Sequence, residues 1–222
     1  MTAVQIAIAV FDQLTALDAI GPYAVLVQIP GAEVVFVAEQ AGPVRDDWRA
    51  LTLAASASFA DVPRPDIALV PGGMITRRMY RDGHPVIDWA AAVHPTTQWT
   101  ASVCTGALLL GAAGLLRGLD AATHWSAYED LAALGARPAE RRVVVQREHR
   151  IITGAGVSAG IDMALRLAAE VAGGDVAQRI QLGIEYDPQP PFDAGSPRTA
   201  PPGVFRAARE RIARGLAQVL DI

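Results

Sequence analysis

The chain has 222 residues, 51% of them hydrophobic, a formal net charge of -4 and a mean hydropathy of +0.25, which is enough apolar material to bury the core of one α/β domain. The acidic balance, with a pI near 5.5, gives no reason to expect nucleic acid or an anionic membrane as partner. The single cysteine excludes an intrachain disulfide and suits a reducing cytoplasm, and no pair of histidines has metal-ligand spacing with nearby acids or sulfur, so no metal is expected.

The first twelve residues lack a basic leader and their apolar run stops early, so 4–10 reads as a first strand and not as a signal peptide. Further strands are expected at 33–38, 67–70 and 99–103, with 142–146 and 151–153 pairing around the polar turn Arg147-Glu148-His149-Arg150. Helices are expected at 22–29, 85–93, 107–116, 126–134, 158–172 and 176–185; Pro22 and Pro85 suit a first helical turn and Ser158 an N-cap. Nothing between Asp88 and Arg117 carries an acid, Lys or Arg, but Pro95 and three glycines interrupt the stretch, so it reads as a buried strand and helix and not as a membrane span. Apolar strands alternating with helices predict a mostly parallel sheet covered on both faces, with ligands at the carboxyl ends of the strands. From Asp187 the prolines forbid regular structure and predict a surface arm. Beyond it Phe205, Ile212, Leu216 and Val219 recur at helical spacing, with arginines 206, 209, 211 and 214 on the other faces, as in a helix that packs on the domain or on a partner subunit. The chain thus divides into an α/β domain over 1–187 and an arm with a final helix over 188–222.

Cys104 stands where an apolar strand meets a small-residue turn, Ser102-Val103-Cys104-Thr105-Gly106-Ala107, and then an apolar helix. A thiol there faces the helix's unpaired N–H groups, which favour a thiolate, and small neighbours leave room for a substrate above the sulfur; the competing reading is a buried structural cysteine. Asp18 follows the first strand among apolar residues, as either an ordinary helix-start acid or a buried one. Pro71-Gly72-Gly73 follows the strand at 67–70 and leaves bare backbone amides able to bind developing negative charge. Among the histidines, His124 reads as a structural hydrogen-bonding residue, His84 and His94 as surface residues beside prolines, and His149 as part of the charged turn. Trp99 and Trp125 read by default as core.

Taken together, Leu17-Asp18-x-x-Gly21-Pro22, Val70-Pro71-Gly72-Gly73, the Cys104 elbow, Ala122-Thr123-His124-Trp125, the run 153–162 and Pro190-Pro191-Phe192-Asp193 resemble the ThiJ/PfpI superfamily and, within it, the isonitrile hydratase branch. The resemblance implies a flavodoxin-like three-layer sandwich, similar to class I glutamine amidotransferases, with its nucleophile elbow at Cys104. Protease-like members carry histidine after the elbow cysteine, where this chain has Thr105, and members proposed to act on glyoxals carry glutamate where it has Asp18. AraC-like regulators share most of the motifs but continue into a DNA-binding domain, whereas this sequence ends at Ile222. The resemblance also implies a homodimer, with Cys104, Asp18 and Thr105 as catalytic residues and Gly21, Gly72 and Gly73 lining the substrate site. On this reading Cys104 attacks the terminal carbon of an isonitrile, Asp18 serves as general acid and then base, and the product is an N-substituted formamide. Neither a metal nor an organic cofactor is needed. A glyoxalase or amidase on the same scaffold and a non-catalytic ligand-sensing domain are the alternatives.

Overall fold

β1 (Val4–Ala9) lies inside the main sheet, and its last four residues are fully buried. That unbroken burial, in place of strict alternation, is what a parallel strand covered on both faces requires. The structure, a computed structural model, describes residues 3–221. The other strands of the main sheet are β2 (Ala32–Ala38), β5 (Ala57–Ser58), β6 (Ile67–Val70), β7 (Trp99–Val103), β10 (Val143–Gln146) and β11 (Ile151–Gly154). Together the seven run in the order β10-β11-β7-β6-β1-β2-β5, parallel except for the antiparallel edge pair β10 and β11. Two short ladders sit outside this sheet: the hairpin β3 (Gly42–Arg45) with β4 (Thr52–Ala55), and β8 (Asp120–Ala121) with β9 (Arg137–Pro138). The sequence pattern marks neither ladder.

Helices cover both faces. α1 (Ala16–Leu26) packs on α6 (Ala159–Ala172), which also carries α7 (Gly174–Gly183). α2 (Thr76–Asp82) and α3 (Pro85–Val93) pack on α4 (Gly106–Ala112), and α5 (Tyr128–Ala133) joins them. The crossovers leave β1 in opposite directions, to β2 on one side and later to β6 on the other. The carboxyl ends of β1 and β6 therefore form the switch point at which such sheets bind ligands.

Several boundaries differ from the sequence reading. α1 starts at Ala16, six residues early, so Asp18 sits in its first turn and Pro22 in its interior. The ring that would clash with a neighbouring side chain is accommodated because Gly160 lies against it, where an added Cβ would come within 3.2 Å of Pro22 Cγ. α4 stops at Ala112, short of the expected 116, because the chain turns through Gly114 with φ +78°. Ser158 gives no side-chain cap to α6; its Oγ accepts from Arg142 at 3.2 Å. His84 and His94 are half-buried and not surface residues: His84 Nδ1 caps α3 by accepting the Val86 amide, and His94 Nδ1 lies 2.9 Å from Thr100 Oγ1.

The prolines keep residues 187–201 out of helix and strand. α8 (Pro202–Leu220) follows and lies against α2, and no residue in it is fully buried. Its apolar stripe is half-covered: Phe205 meets the Trp125 ring at 5.3 Å, and Arg211 lies 5.4 Å over Trp48.

Candidate active site

Three strand ends bring the expected residues together. β7 ends at Val103, immediately before Cys104, which takes φ +57°, a left-handed conformation costing a residue with a Cβ roughly 1–2 kcal/mol. Neighbouring bonds hold it there: the Cys104 amide donates to the Gly154 and Ala155 carbonyls (3.1 and 2.9 Å), and Thr123 Oγ1 donates to the Cys104 carbonyl (2.9 Å). α4 begins directly beneath β6, where only a glycine fits; a Cβ on Gly106 would collide with the Val70 carbonyl oxygen. The turn is therefore a genuine strand-to-helix elbow that presents Cys104 toward the carboxyl end of the sheet.

Asp18 comes from the first turn of α1 and is wholly buried. Its Oδ2 accepts the Gly72 amide at 2.9 Å, and its Oδ1 has no hydrogen-bond partner among the described protein groups, with the Cys104 thiol beside the carboxyl. Burial pushes the Asp18 pKa up to about 7, against the pull of the Gly72 amide and the thiol, and the carboxylate of Asp47 adds to the rise. Thr105 faces the same turn: its Oγ1 accepts the Gly73 amide and donates to the Gly73 carbonyl, both at 2.9 Å.

The expected low-pKa thiolate is not what this environment favours. The sulfur does receive the backbone amides of Thr105 and Val157, but burial and the adjacent Asp18 carboxylate outweigh them and push the Cys104 pKa up. With seven residues, α4 is a short helix, and Cys104 is 5% exposed. The resting group is therefore a neutral thiol next to a carboxyl that titrates near neutrality.

The glycines have different tasks from those expected. The amides of Gly72 and Gly73, expected to meet developing charge on a substrate, are already committed to Asp18 and Thr105. They set the acid and the hydroxyl in place, and Gly72 must be glycine because a Cβ would lie 2.6 Å from the Thr105 amide and 2.8 Å from Asp18 Oδ2. Gly21, expected near substrate, lies in the contact between α1 and α6, where its missing side chain makes room for Ile161 (3.2 Å from an added Cβ). The sequence marks Ser102 only as a small residue of the turn, yet its hydroxyl is buried without a partner; nothing in the chain's pattern signals that.

Two cavities, each of about 590 Å³, have linings that do not include Cys104. One lies under α8, lined by Trp48, Met74 and Arg78 among others. The other is lined by Thr123, His124, Trp125, Ala155, Val157 and the arm residues Gly195–Arg198. Trp125, expected in the core, thus borders a cavity, while Trp99 packs partly buried against the core. Among the described residues no three His, Cys, Asp or Glu side chains are grouped as a metal site would need.

Comparison with known proteins matches this geometry to a family. Residues 4–170 match the DJ-1/PfpI family. Over 214 residues, 96% of this chain and 92% of the relative, the sequence is 44% identical to an isonitrile hydratase of Pseudomonas putida. A crystal structure of a ThiJ/PfpI family protein from Pseudomonas syringae superposes with TM-score 0.90 at 37% identity, covering 99% of this chain and 90% of that one. An AraC family transcriptional regulator from Pseudomonas putida, 18% identical with TM-score 0.69 over 82% of this chain and 99% of that one, shares the fold. The chain belongs to the DJ-1/PfpI family, on the branch that holds the Pseudomonas putida isonitrile hydratase.

Proposed function

We propose that the protein hydrates an isonitrile to the N-substituted formamide, with Cys104 as nucleophile and Asp18 as the proton-transferring group. The observation that carries this reading is a buried carboxyl beside the thiol, its Oδ1 without a hydrogen-bond partner among the described residues, in a chain 44% identical to an isonitrile hydratase. An isonitrile carbon accepts both a nucleophile and a proton, so these two groups suffice.

In the first step the Asp18 carboxylate takes the thiol proton as the sulfur bonds to the terminal carbon of R–N≡C. The same proton then passes to that carbon, giving the thioimidate R–N=CH–S–Cys104 and restoring the carboxylate. Water next adds to the carbon; Asp18 takes one of its protons and hands it to the imine nitrogen. The tetrahedral adduct collapses to R–NH–CHO, and the hydroxyl proton returns to the departing sulfur. One water is consumed, and no electron changes hands. Thr105, locked to Gly73, keeps the turn beneath the sulfur rigid, and the Val157 and Thr105 amides steady negative charge on sulfur as the thiol gives up its proton. The working unit on this reading is a homodimer, supported by Leu17, Tyr23 and Val27, which are 43%, 36% and 40% exposed on α1 and its C-cap.

The test is formamide production from an aryl isonitrile, identified by mass. Cys104→Ala is expected to abolish it, and Asp18→Asn to lower kcat by about 100-fold or more while the protein stays folded. Because the first step uses ionised Asp18, kcat/KM should rise with pH through about 7 and then level off. A Cys104→Ala protein with native turnover would overturn the reading.

A further inference from the structure

The cavity bordered by His124 and the proline-rich arm is bonded to the nucleophile through its own walls. Two of its lining residues hold Cys104 by hydrogen bonds, Thr123 donating to its carbonyl and Ala155 accepting its amide, and the amide of a third, Val157, favours charge on its sulfur. No residue lining the cavity under α8 makes a hydrogen bond to Cys104, Asp18 or Thr105. An isonitrile suits such an arrangement. Its reacting carbon ends a linear two-atom rod, so a substituent can stay in a side cavity while the carbon reaches past the wall to the sulfur.

The cavity is lined in part by the charged side chains of Glu140, Arg141, Arg142 and Arg198 and in part by aromatic rings, and beside Thr123, which bonds Cys104, it holds a neutral donor on His124. Trp125 lies between the His124 and Phe205 rings, at 5.2 and 5.3 Å, and Tyr128 shares the lining. His124 Nδ1 accepts the Ser126 amide at 3.3 Å and sits 2.8 Å from Ser126 Oγ, so in the neutral ring the proton is on Nε2. Burial, with the nearby Arg77 charge, pushes the His124 pKa down to about 4, which keeps the ring neutral during turnover. Nε2 makes no hydrogen bond to any described residue, and the ring is pinned against Gly156, where an added Cβ would meet His124 Cδ2 at 2.7 Å.

We propose that this cavity receives the substituent of the isonitrile and that His124 Nε2–H is a specificity-determining donor, selecting aryl isonitriles that carry a carbonyl oxygen on the ring. The arm residues Gly195–Arg198 complete the pocket wall. The inference rests on the isonitrile reading above and goes beyond it by assigning the substrate class.

The test compares 4-isocyanoacetophenone with 4-isopropylphenyl isonitrile, a pair alike in shape but differing in the carbonyl oxygen. In His124→Asn the amide oxygen takes over the Nδ1 bond to Ser126 and the distal donor is lost, whereas His124→Gln restores a donor near the Nε2 position. The ratio of kcat/KM, acetyl over isopropyl, is expected to fall about tenfold in His124→Asn and to recover to within about twofold of native in His124→Gln, the scale of one neutral hydrogen bond. An unchanged ratio in His124→Asn overturns the inference. Calorimetric binding of the matching formamide, 4-formamidoacetophenone, to native and His124→Asn protein separates the two readings. If native protein turns over neither isonitrile but binds the acetyl compound in a His124-dependent way, the hydratase reading falls and the cavity assignment stands. If formamide forms while neither ratio nor binding responds to His124, the cavity assignment falls alone.

Discussion

Asp18 shows how one residue couples function to stability. Its carboxyl titrates near 3.8 when exposed and at about 7 in the fold, so between those values the folded chain keeps a proton that the unfolded chain has released. Stability therefore falls as pH rises from about 4 to about 7 and levels off above, where both states are ionised. The loss at the plateau is a few kcal/mol, at about 1.4 kcal/mol for each tenfold gain in proton affinity on folding. Asp18→Asn removes it: the variant is expected to exceed the native protein in thermal midpoint, by a margin smallest at pH 4 and largest near pH 8, while losing turnover. Equal pH dependence in the two proteins, measured by calorimetry, would show that the carboxyl is not carrying a burial cost. The free Oδ1 and the strained Cys104 backbone are thus alike, in that the fold holds both groups in states that favour chemistry over stability.

At the scale of elements, the pocket leans on a partly buried ion pair that ties α2 to α5. Arg77, 5% exposed, donates through Nε to Asp130 Oδ2 and through a terminal nitrogen to the Ser126 carbonyl, both at 2.8 Å. The second bond fixes the short turn that His124 caps by accepting the Ser126 amide, so the pair reaches the pocket as well as the core. Arg77→Ala leaves Asp130 partly buried without its cation and a carbonyl without its donor, and is expected to cost about 3–5 kcal/mol in chemical denaturation. A loss under about 1 kcal/mol would place the pair among weak surface bridges. Elsewhere the element junctions turn on single glycines: Gly106 lets α4 start against the end of β6, and Gly160 lets α6 close on Pro22 of α1.

For the whole molecule, the division of labour lies between the sheet domain and the C-terminal segment that follows Asp187. The large fully buried side chains, Ile6, Ile8, Leu69, Leu108 and Leu131 among them, all lie in the first domain, and α8 has no buried residue. Truncation after Asp187 is therefore expected to leave the far-ultraviolet signature of the sheet domain and a cooperative unfolding transition. It should at the same time remove the Gly195–Arg198 wall and weaken discrimination between substituted isonitriles. Loss of cooperative unfolding in the truncated chain would mean that α8 is part of the core architecture. No described helix is long and apolar enough to cross a membrane.

The strands of the main sheet other than β5, and Cys104 and Asp18 as candidate site residues, were legible in the chain before any contact was known, whereas α2 was not. Apolar runs of strand length, an unusual cysteine at a small-residue turn and an acid after the first strand are local signals, and they located β1, β2, β6, β7 and the elbow to within a residue or so. Short ladders such as β3 with β4, held by register and not by a strong apolar run, left no comparable mark. What the groups do came from packing alone. That the Gly72 and Gly73 amides serve Asp18 and Thr105, that Gly21 serves a helix contact, and that Cys104 rests as a thiol follow from contacts between residues far apart in the chain. Burial and the nearness of charges set protonation, and both are properties of the packed molecule that no spacing along the chain records.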